Sequence, residues 1–424
     1  MLGGIFPTIG AGAHAAGPGV ILAYALSGFV SLCVALCYAE FASMVPVAGS
    51  AYTYAYATLG EVVAWVIGWD LILEYGLSVA PTASSWSAYA QQLLGSLGIA
   101  LPAWAQNGDV MHGQIDVVAA LVVVAITAIV AIGIRESANV NGALVVFQIV
   151  TMLVFVAVTA GAIHGAFLHP FAPHGFHGIV AGTALVFYAY IGFDTVTVAS
   201  EEANDPAKHV PVGIMLSLVI GGLLYVALAL CTVGVTAYAK VSSGAAMLDA
   251  VKAATSNPLV FWIVALGGVA GNTTVAITSL LGQIRIFYVM ARDRMLPPGV
   301  ARVHPRFRTP ARMTLITGAV VAVLAALLPL SDLLDFVNIG TLSAFSIVCA
   351  GVLVLRVIRP DAARPFRAPF VWFFGLAGAL LCPFLIGGLD RMTWLRFGIW
   401  FAIGIAIYAA YGYRKSRLRT LAPP

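Results

Sequence analysis

Charge is what this sequence has least of. Only 9% of its 424 residues are charged, against 61% that are hydrophobic. A soluble domain carries about a quarter charged residues and about half apolar ones. A soluble chain this apolar could not cover its surface with polar groups, whereas a chain facing lipid has no such need. Lys and Arg number 21 and Asp and Glu 17, a net charge of only +4, so an acidic partner such as nucleic acid is not indicated. Cysteine is scarce as well. Cys33, Cys37, Cys231, Cys349 and Cys382 all lie inside apolar runs with no metal-ligand spacing. They read as small core residues, and no metal or cofactor is expected. Nor is there a short leader followed by a soluble body.

What the sequence does have is long apolar runs. A membrane span needs roughly 20 mostly apolar residues. Such runs lie near 18–44, 58–94, 115–133, 141–163, 177–202, 211–235, 257–290, 313–330, 332–357, 369–388 and 394–412, and a short one opens the chain near 3–13. The runs 58–94 and 257–290 exceed one upright span, which predicts strong tilt or projection beyond the bilayer. Breakers separate the runs: Ala16-Gly17-Pro18, Asn204-Asp205-Pro206, Asn257-Pro258, Leu296-Pro297-Pro298 and Arg359-Pro360. No soluble domain fits between the spans.

Alternating the chain from an inner start gives an inner set of basic residues: Arg135, Lys208, Arg285, Arg292, Arg294, Arg302, Arg306, Arg308, Arg312, Arg356, Arg359, Arg364, Arg367, Arg414, Lys415, Arg417 and Arg419. Only Lys240, Lys252, Arg391 and Arg396 fall outside. The positive-inside rule selects this orientation, with both termini cytoplasmic in a cell membrane.

Two runs carry interruptions. In 177–202, Gly192 and Asp194 are poor helix formers, and Asp194 is an ionisable group at membrane depth. Gly3-Gly4 marks the opening run. Glycine-interrupted segments at corresponding places in two halves point to a transporter site near the midplane. Unwound N–H groups there suit a carboxylate, and unwound carbonyls suit an ammonium or a cation. Glycines in membrane helices also serve close helix packing.

Several motifs resemble the amino acid-polyamine-organocation superfamily, and within it most nearly the cationic amino acid transporter family and its bacterial relatives. They are Cys37-Tyr38-Ala39-Glu40-Phe41-Ala42 with Pro46, Gly49, Ser50, Ala51, Tyr52 and Tyr54; Gly68-Trp69-Asp70-Leu71-Ile72-Leu73-Glu74-Tyr75; and Tyr190-Ile191-Gly192-Phe193-Asp194 with Glu201-Glu202. Gly282-Gln283, Arg285-Ile286-Phe287-Tyr288, His304-Pro305, Phe307-Arg308-Thr309-Pro310, Asn338-Ile339-Gly340-Thr341-Leu342 and Arg364-Pro365-Phe366-Arg367 extend the likeness over nearly the whole chain.

The resemblance implies an all-α integral membrane protein of LeuT-like fold with about twelve transmembrane segments. Helices 1–5 (residues 1–163) and 6–10 (177–357) would form inverted repeats. Helices 11–12 (369–412) and a cytoplasmic tail (413–424) would follow, all one transport domain. It further implies sodium-independent amino acid transport, with helices 1 and 6 broken. The substrate carboxylate would meet backbone near Gly3, Gly4 and Ile5. The ammonium would meet carbonyls near Tyr188, Ala189 and Ile191, beside Gly192 and Asp194. Tyr188 holds the aromatic gate position. Small neutral and cationic amino acids both remain open as substrates.

The chain departs from the family in two places. It starts two residues before Gly3, where the family has the first half of helix 1, so a misassigned start is the expectation. Leu2 and Gly3 also replace the motif's first glycine and small hydroxyl residue. In helix 5, Gln148 stands where bacterial relatives place a lysine linked to proton coupling. A neutral amide cannot carry that charge, which favours facilitated diffusion or exchange.

Asp70 and Glu74 share a helix face, and Glu74 could bind a proton instead or serve as a structural carboxylate. Glu40 reads as a structural hydrogen-bond partner. His164, His169, His174 and His177 read as solvated loop residues rather than a zinc site. Asn272, Thr273, Thr274, Thr341 and Ser343 could line the site or bond their own backbone. An embedded enzyme would need a nucleophile–base pair or metal cluster within the spans, and none is present in the sequence. A sensor or an amino acid/polyamine exchanger of the same fold is the alternative to a permease.

Overall fold

The computed structural model describes residues 1–44, 50–133, 138–194 and 206–416. Pro46, Gly49, Arg135, Glu201, Glu202, Asn204, Asp205, Arg417 and Arg419, singled out above, lie outside the described residues. So do the side chains of Ser50 and Lys208. Of the described residues 80% are helical. Among the described residues the only β-pairing is one isolated bridge, Asp109 with Gln114.

The helices are α1 (Ile5–Ala16), α2 (Val20–Met44), α3 (Ser50–Thr58), α4 (Glu61–Leu77), α5 (Val79–Ser96), α6 (Val117–Ile132), α7 (Ala138–Thr159) and α8 (Gly175–Val186). They continue as α9 (Pro206–Val235), α10 (Ala246–Ala254), α11 (Pro258–Arg292), α12 (Ala311–Leu327), α13 (Leu330–Ile358), α14 (Val371–Ile386) and α15 (Arg391–Ile407). Among the described residues, seven helical stretches are long and apolar enough to cross a membrane, and four shorter apolar helices of 10–17 residues accompany them. The chain is therefore a multi-pass membrane protein. Leu216, Val219, Ile220 and Leu223 of α9, with Leu376 and Leu380 of α14, are exposed. Lipid covers such side chains in a membrane.

Boundaries follow the sequence's breakers. Gly17, at φ 63°, with Pro18 separates α1 from α2. Asn257 caps α11, its Oδ1 accepting the Leu259 N–H at 3.0 Å, and Pro258 fills the first helical position, where no donor is needed. Asp116 caps α6 by accepting Ala119 N–H at 2.8 Å and Ser87 Oγ–H at 2.6 Å. The run 58–94 proves to be two helices, α4 and α5, meeting at Ser78. By contrast α11 is one helix of 35 residues, about 52 Å long at 1.5 Å per residue.

Contacts sort the connections into two ends. At one end Glu40 of α2 takes Arg356 in a two-pronged pair, Nε to Oε1 at 2.8 Å and Nη2 to Oε2 at 2.7 Å. Arg364 Nε lies 3.2 Å from the same carboxylate, and Ala368 N–H donates to it at 2.9 Å. Tyr52 OH donates to Asp293 at 3.2 Å and Thr309 to the Ala131 carbonyl at 2.6 Å at this end too. At the other end His14 Nε2 is bonded to the Val241 carbonyl at 2.8 Å, Ser85 donates to Gly244 O at 2.8 Å, and Arg396 pairs with Asp332 at 2.8 Å. Between the two ends, Tyr38, Phe187, Phe193 and Phe345 interlock edge to face or at a tilt, with centroids 5.4–6.1 Å apart.

Candidate substrate-binding site

The site is built where α8 stops. After Val186 the helix tightens into a 3-10 turn, Phe187–Tyr190. Ile191 then turns extended, at φ −60° and ψ 140°. Gly192 follows at φ 111°, a conformation that side chains with a Cβ rarely adopt. Asp194 holds the break: its Oδ1 accepts Gly192 N–H at 3.2 Å, and Tyr75 OH of α4 donates to its Oδ2. The interruption expected at Gly192 and Asp194 is thus present.

The opening segment packs against it. Residues 2–4 form a 3-10 turn that runs directly into α1, with Gly4 in helical conformation. This stretch is therefore wound rather than extended. A Cβ on Gly4 would stand 2.8 Å from Ala189 Cα, so only glycine allows this approach. Tyr225 of α9 ties the two segments together, its OH lying 2.7 Å from Met1 O and 2.9 Å from Ala189 O.

Between these segments, α7 and α11 lies a cavity of about 280 Å³. Gly3, Gly4, Tyr188, Ile191, Gly192 and Gln148 line it, joined by Tyr75, Ser78, Val145, Ser217, Thr274, Thr278 and Ser279. Met1, Leu2 and Val275 complete the lining, and among the described residues no Asp, Glu, Lys, Arg or His side chain reaches it. Ile5, Ala189, Asp194 and Glu74 lie behind the wall, each fully buried. The Ala189 carbonyl, expected to face an ammonium, is bonded to Tyr225 instead. Tyr188 covers the cavity with its hydroxyl donated to Ser78 O at 2.8 Å.

The hydroxyls of α11 and α13 divide. Thr274 reaches the cavity. Asn272 Nδ2 donates to Ser85 Oγ at 3.1 Å and Gly268 O at 3.0 Å, while Thr341 and Ser343 bond backbone of their own helix. Asp70 and Glu74 are fully buried. Neither carboxylate has a hydrogen-bond partner among the described residues, although Thr341 sits beside Glu74. Tyr225 was missed in the sequence; the signal available was a lone tyrosine one turn beyond Gly221-Gly222 in an otherwise apolar span.

These features define a multi-pass membrane protein with a small cavity at a helix break, lined by no charged side chain among the described residues. The chain belongs to the amino acid permease family, whose pattern it matches over residues 1–411. It is 41% identical over 419 residues to the branched-chain amino acid permease BcaP of Bacillus subtilis (strain 168), covering 98% of this chain and 90% of that one. It is 39% identical to the methylthioribose transporter of the same strain, with the same coverage. The cationic amino acid transporter 4, vacuolar, of Arabidopsis thaliana is 35% identical over 84% of this chain and 62% of its own. These relatives are transporters, not enzymes.

Proposed function

We propose that the chain is a sodium-independent secondary transporter that carries a neutral, apolar amino acid across the cell membrane by alternating access. Its helices would form two inverted five-helix repeats, 1–163 and 177–357, with 369–412 as two further spans. The observation that supports this reading is the cavity at Gly3-Gly4 and Tyr188–Gly192, which no charged side chain among the described residues lines. A cationic side chain held there would lack a carboxylate to pair with, and leaving it unpaired would be costly. The likeness to BcaP, a branched-chain amino acid permease, points the same way.

Uptake of labelled leucine, valine, arginine, lysine and methylthioribose into proteoliposomes, at fixed pH and potential, tests it. Leucine or valine should enter with or without sodium, and arginine slowly. Preference for arginine or methylthioribose would contradict the substrate assignment.

Gln148 carries no charge, so the coupling we propose is facilitated diffusion or exchange. An imposed inward proton gradient, with potential clamped, should then change the uptake rate little. Accumulation several-fold above equilibrium would overturn this, and its loss in Glu74→Gln would move the role to Glu74, an unpartnered membrane carboxyl of the kind that marks proton relays.

A further inference from the structure

We propose that the Gln148 side-chain amide reads the substrate's carboxylate, and that the site therefore selects α-amino monocarboxylates; this rests on the permease reading above. A carboxylate accepts hydrogen bonds and donates none, so its site must supply free N–H or O–H groups. Most of those around the cavity are engaged within the protein. Ser78 donates to Glu74 O at 2.5 Å, Tyr188 to Ser78 O and Tyr75 to Asp194. Ser217, Thr274 and Thr278 donate to carbonyls of their own helices. The N–H groups of Gly4, Ile191 and Gly192 bond Met1 O, Tyr188 O and Asp194, which leaves on the backbone side the N–H groups of Leu2 and Gly3 that open the first turn.

Gln148 is the exception among the buried side chains. It borders the cavity, is only 2% exposed, and its Nε2 has no partner among the described residues. Among the described residues, Ser279 is the one other polar side chain there with no hydrogen bond, and it is half-buried on α11. A buried amide left unbonded is destabilising, and a carboxylate relieves it with a charge-assisted bond, stronger than one to a neutral acceptor. α7 packs against residues 2–4, which places this donor across the cavity from Gly3-Gly4. An amide rather than an ammonium also leaves the substrate's own ammonium unopposed, as a zwitterion requires.

The test compares leucine with leucinol, in which a hydroxymethyl group replaces the carboxylate, as competitors of labelled leucine uptake by the full-length protein in proteoliposomes. The wild type should prefer leucine clearly. Gln148→Met keeps the length and removes the donor. Its KM for leucine should rise roughly tenfold or more, while inhibition by leucinol stays unchanged, which also reports an intact cavity. Gln148→Glu should weaken leucine further, because two carboxylates would face each other. An unchanged KM and an unchanged leucine-to-leucinol preference in Gln148→Met would overturn the inference while leaving the permease reading standing. A wild type that transports no amino acid would overturn both.

Discussion

At the scale of single residues, the break in α8 depends on one backbone conformation. Gly192 sits at φ 111°, and its N–H is held by Asp194. A β-branched residue there is both strained and intrusive, since it restricts the backbone and places methyl groups at the cavity wall. Gly192→Val should therefore abolish uptake while the protein still reaches the membrane, as quantified by membrane-fraction blotting beside transport. Near-normal affinity for substrate in that variant would rule out the break as part of the site. Gly4 is constrained differently: its backbone is helical, and what excludes a side chain is Ala189 packed against it. The two glycines look alike in the sequence, yet one serves a turn and the other a close approach.

At the scale of elements, α2, α13 and α14 are joined by a buried charge cluster. Glu40 receives Arg356, Arg364 and the Ala368 N–H. Arg364 also donates to the carbonyls of Leu355, Arg359, Pro360 and Ala362, so it fixes the turn between α13 and α14. Removing Glu40 leaves two cations facing each other without a counter-charge. Glu40→Ala should cost on the order of 3–5 kcal/mol, seen as a lower melting temperature in detergent, whereas Asp116→Ala, which removes a helix cap and the acceptor of the Ser87 hydroxyl, should cost about 1–2 kcal/mol. Equal effects would contradict the ranking. The long apolar helices were legible because twenty apolar residues in lipid have few alternatives to a helix, and Gly17-Pro18 and Asn257-Pro258 marked their ends. The division of the run 58–94 at Ser78 was not legible, because the helical hydrogen bond from Ser78 N–H to Glu74 O persists through it. The short helices α3 and α10 were hidden because neither is long enough to register as a span. Within the site, Gly192, Tyr188 and Gln148 could be placed from pattern and resemblance. The burial of Ala189 and Ile5 could not, because it arises from Tyr225 and from the way α1 packs on α8, contacts between segments far apart in the chain.

At the scale of the whole molecule, the two ends differ in charge. Arg292, Arg294, Arg302, Arg306, Arg308, Arg356, Arg359, Arg364 and Arg367 belong to the end where α2, α11 and α13 finish, and Lys240, Lys252, Arg391 and Arg396 to the opposite one. By the positive-inside rule we propose that the first end is the cytoplasmic one. Single cysteines placed within 299–309 should then be labelled only from the cytoplasmic side, and those within 165–175 only from outside. The native thiols are all buried and should not interfere, and the reverse labelling pattern would overturn the orientation. At the opposite end α1, the 241–245 segment and α10 are packed together, with His14 bonded to Val241 O and Ser85 to Gly244 O. That arrangement fits one state of a carrier that exposes its site to one side at a time. Counterflow tests the carrier claim most directly. Proteoliposomes loaded with unlabelled leucine are diluted into a trace of labelled leucine, without sodium and without a proton gradient. The account predicts transient accumulation of label above the external concentration, because the loaded site returns with label as unlabelled leucine leaves. Simple equilibration without an overshoot would indicate a channel, and no entry of label at all would indicate a sensor; either result would contradict the account.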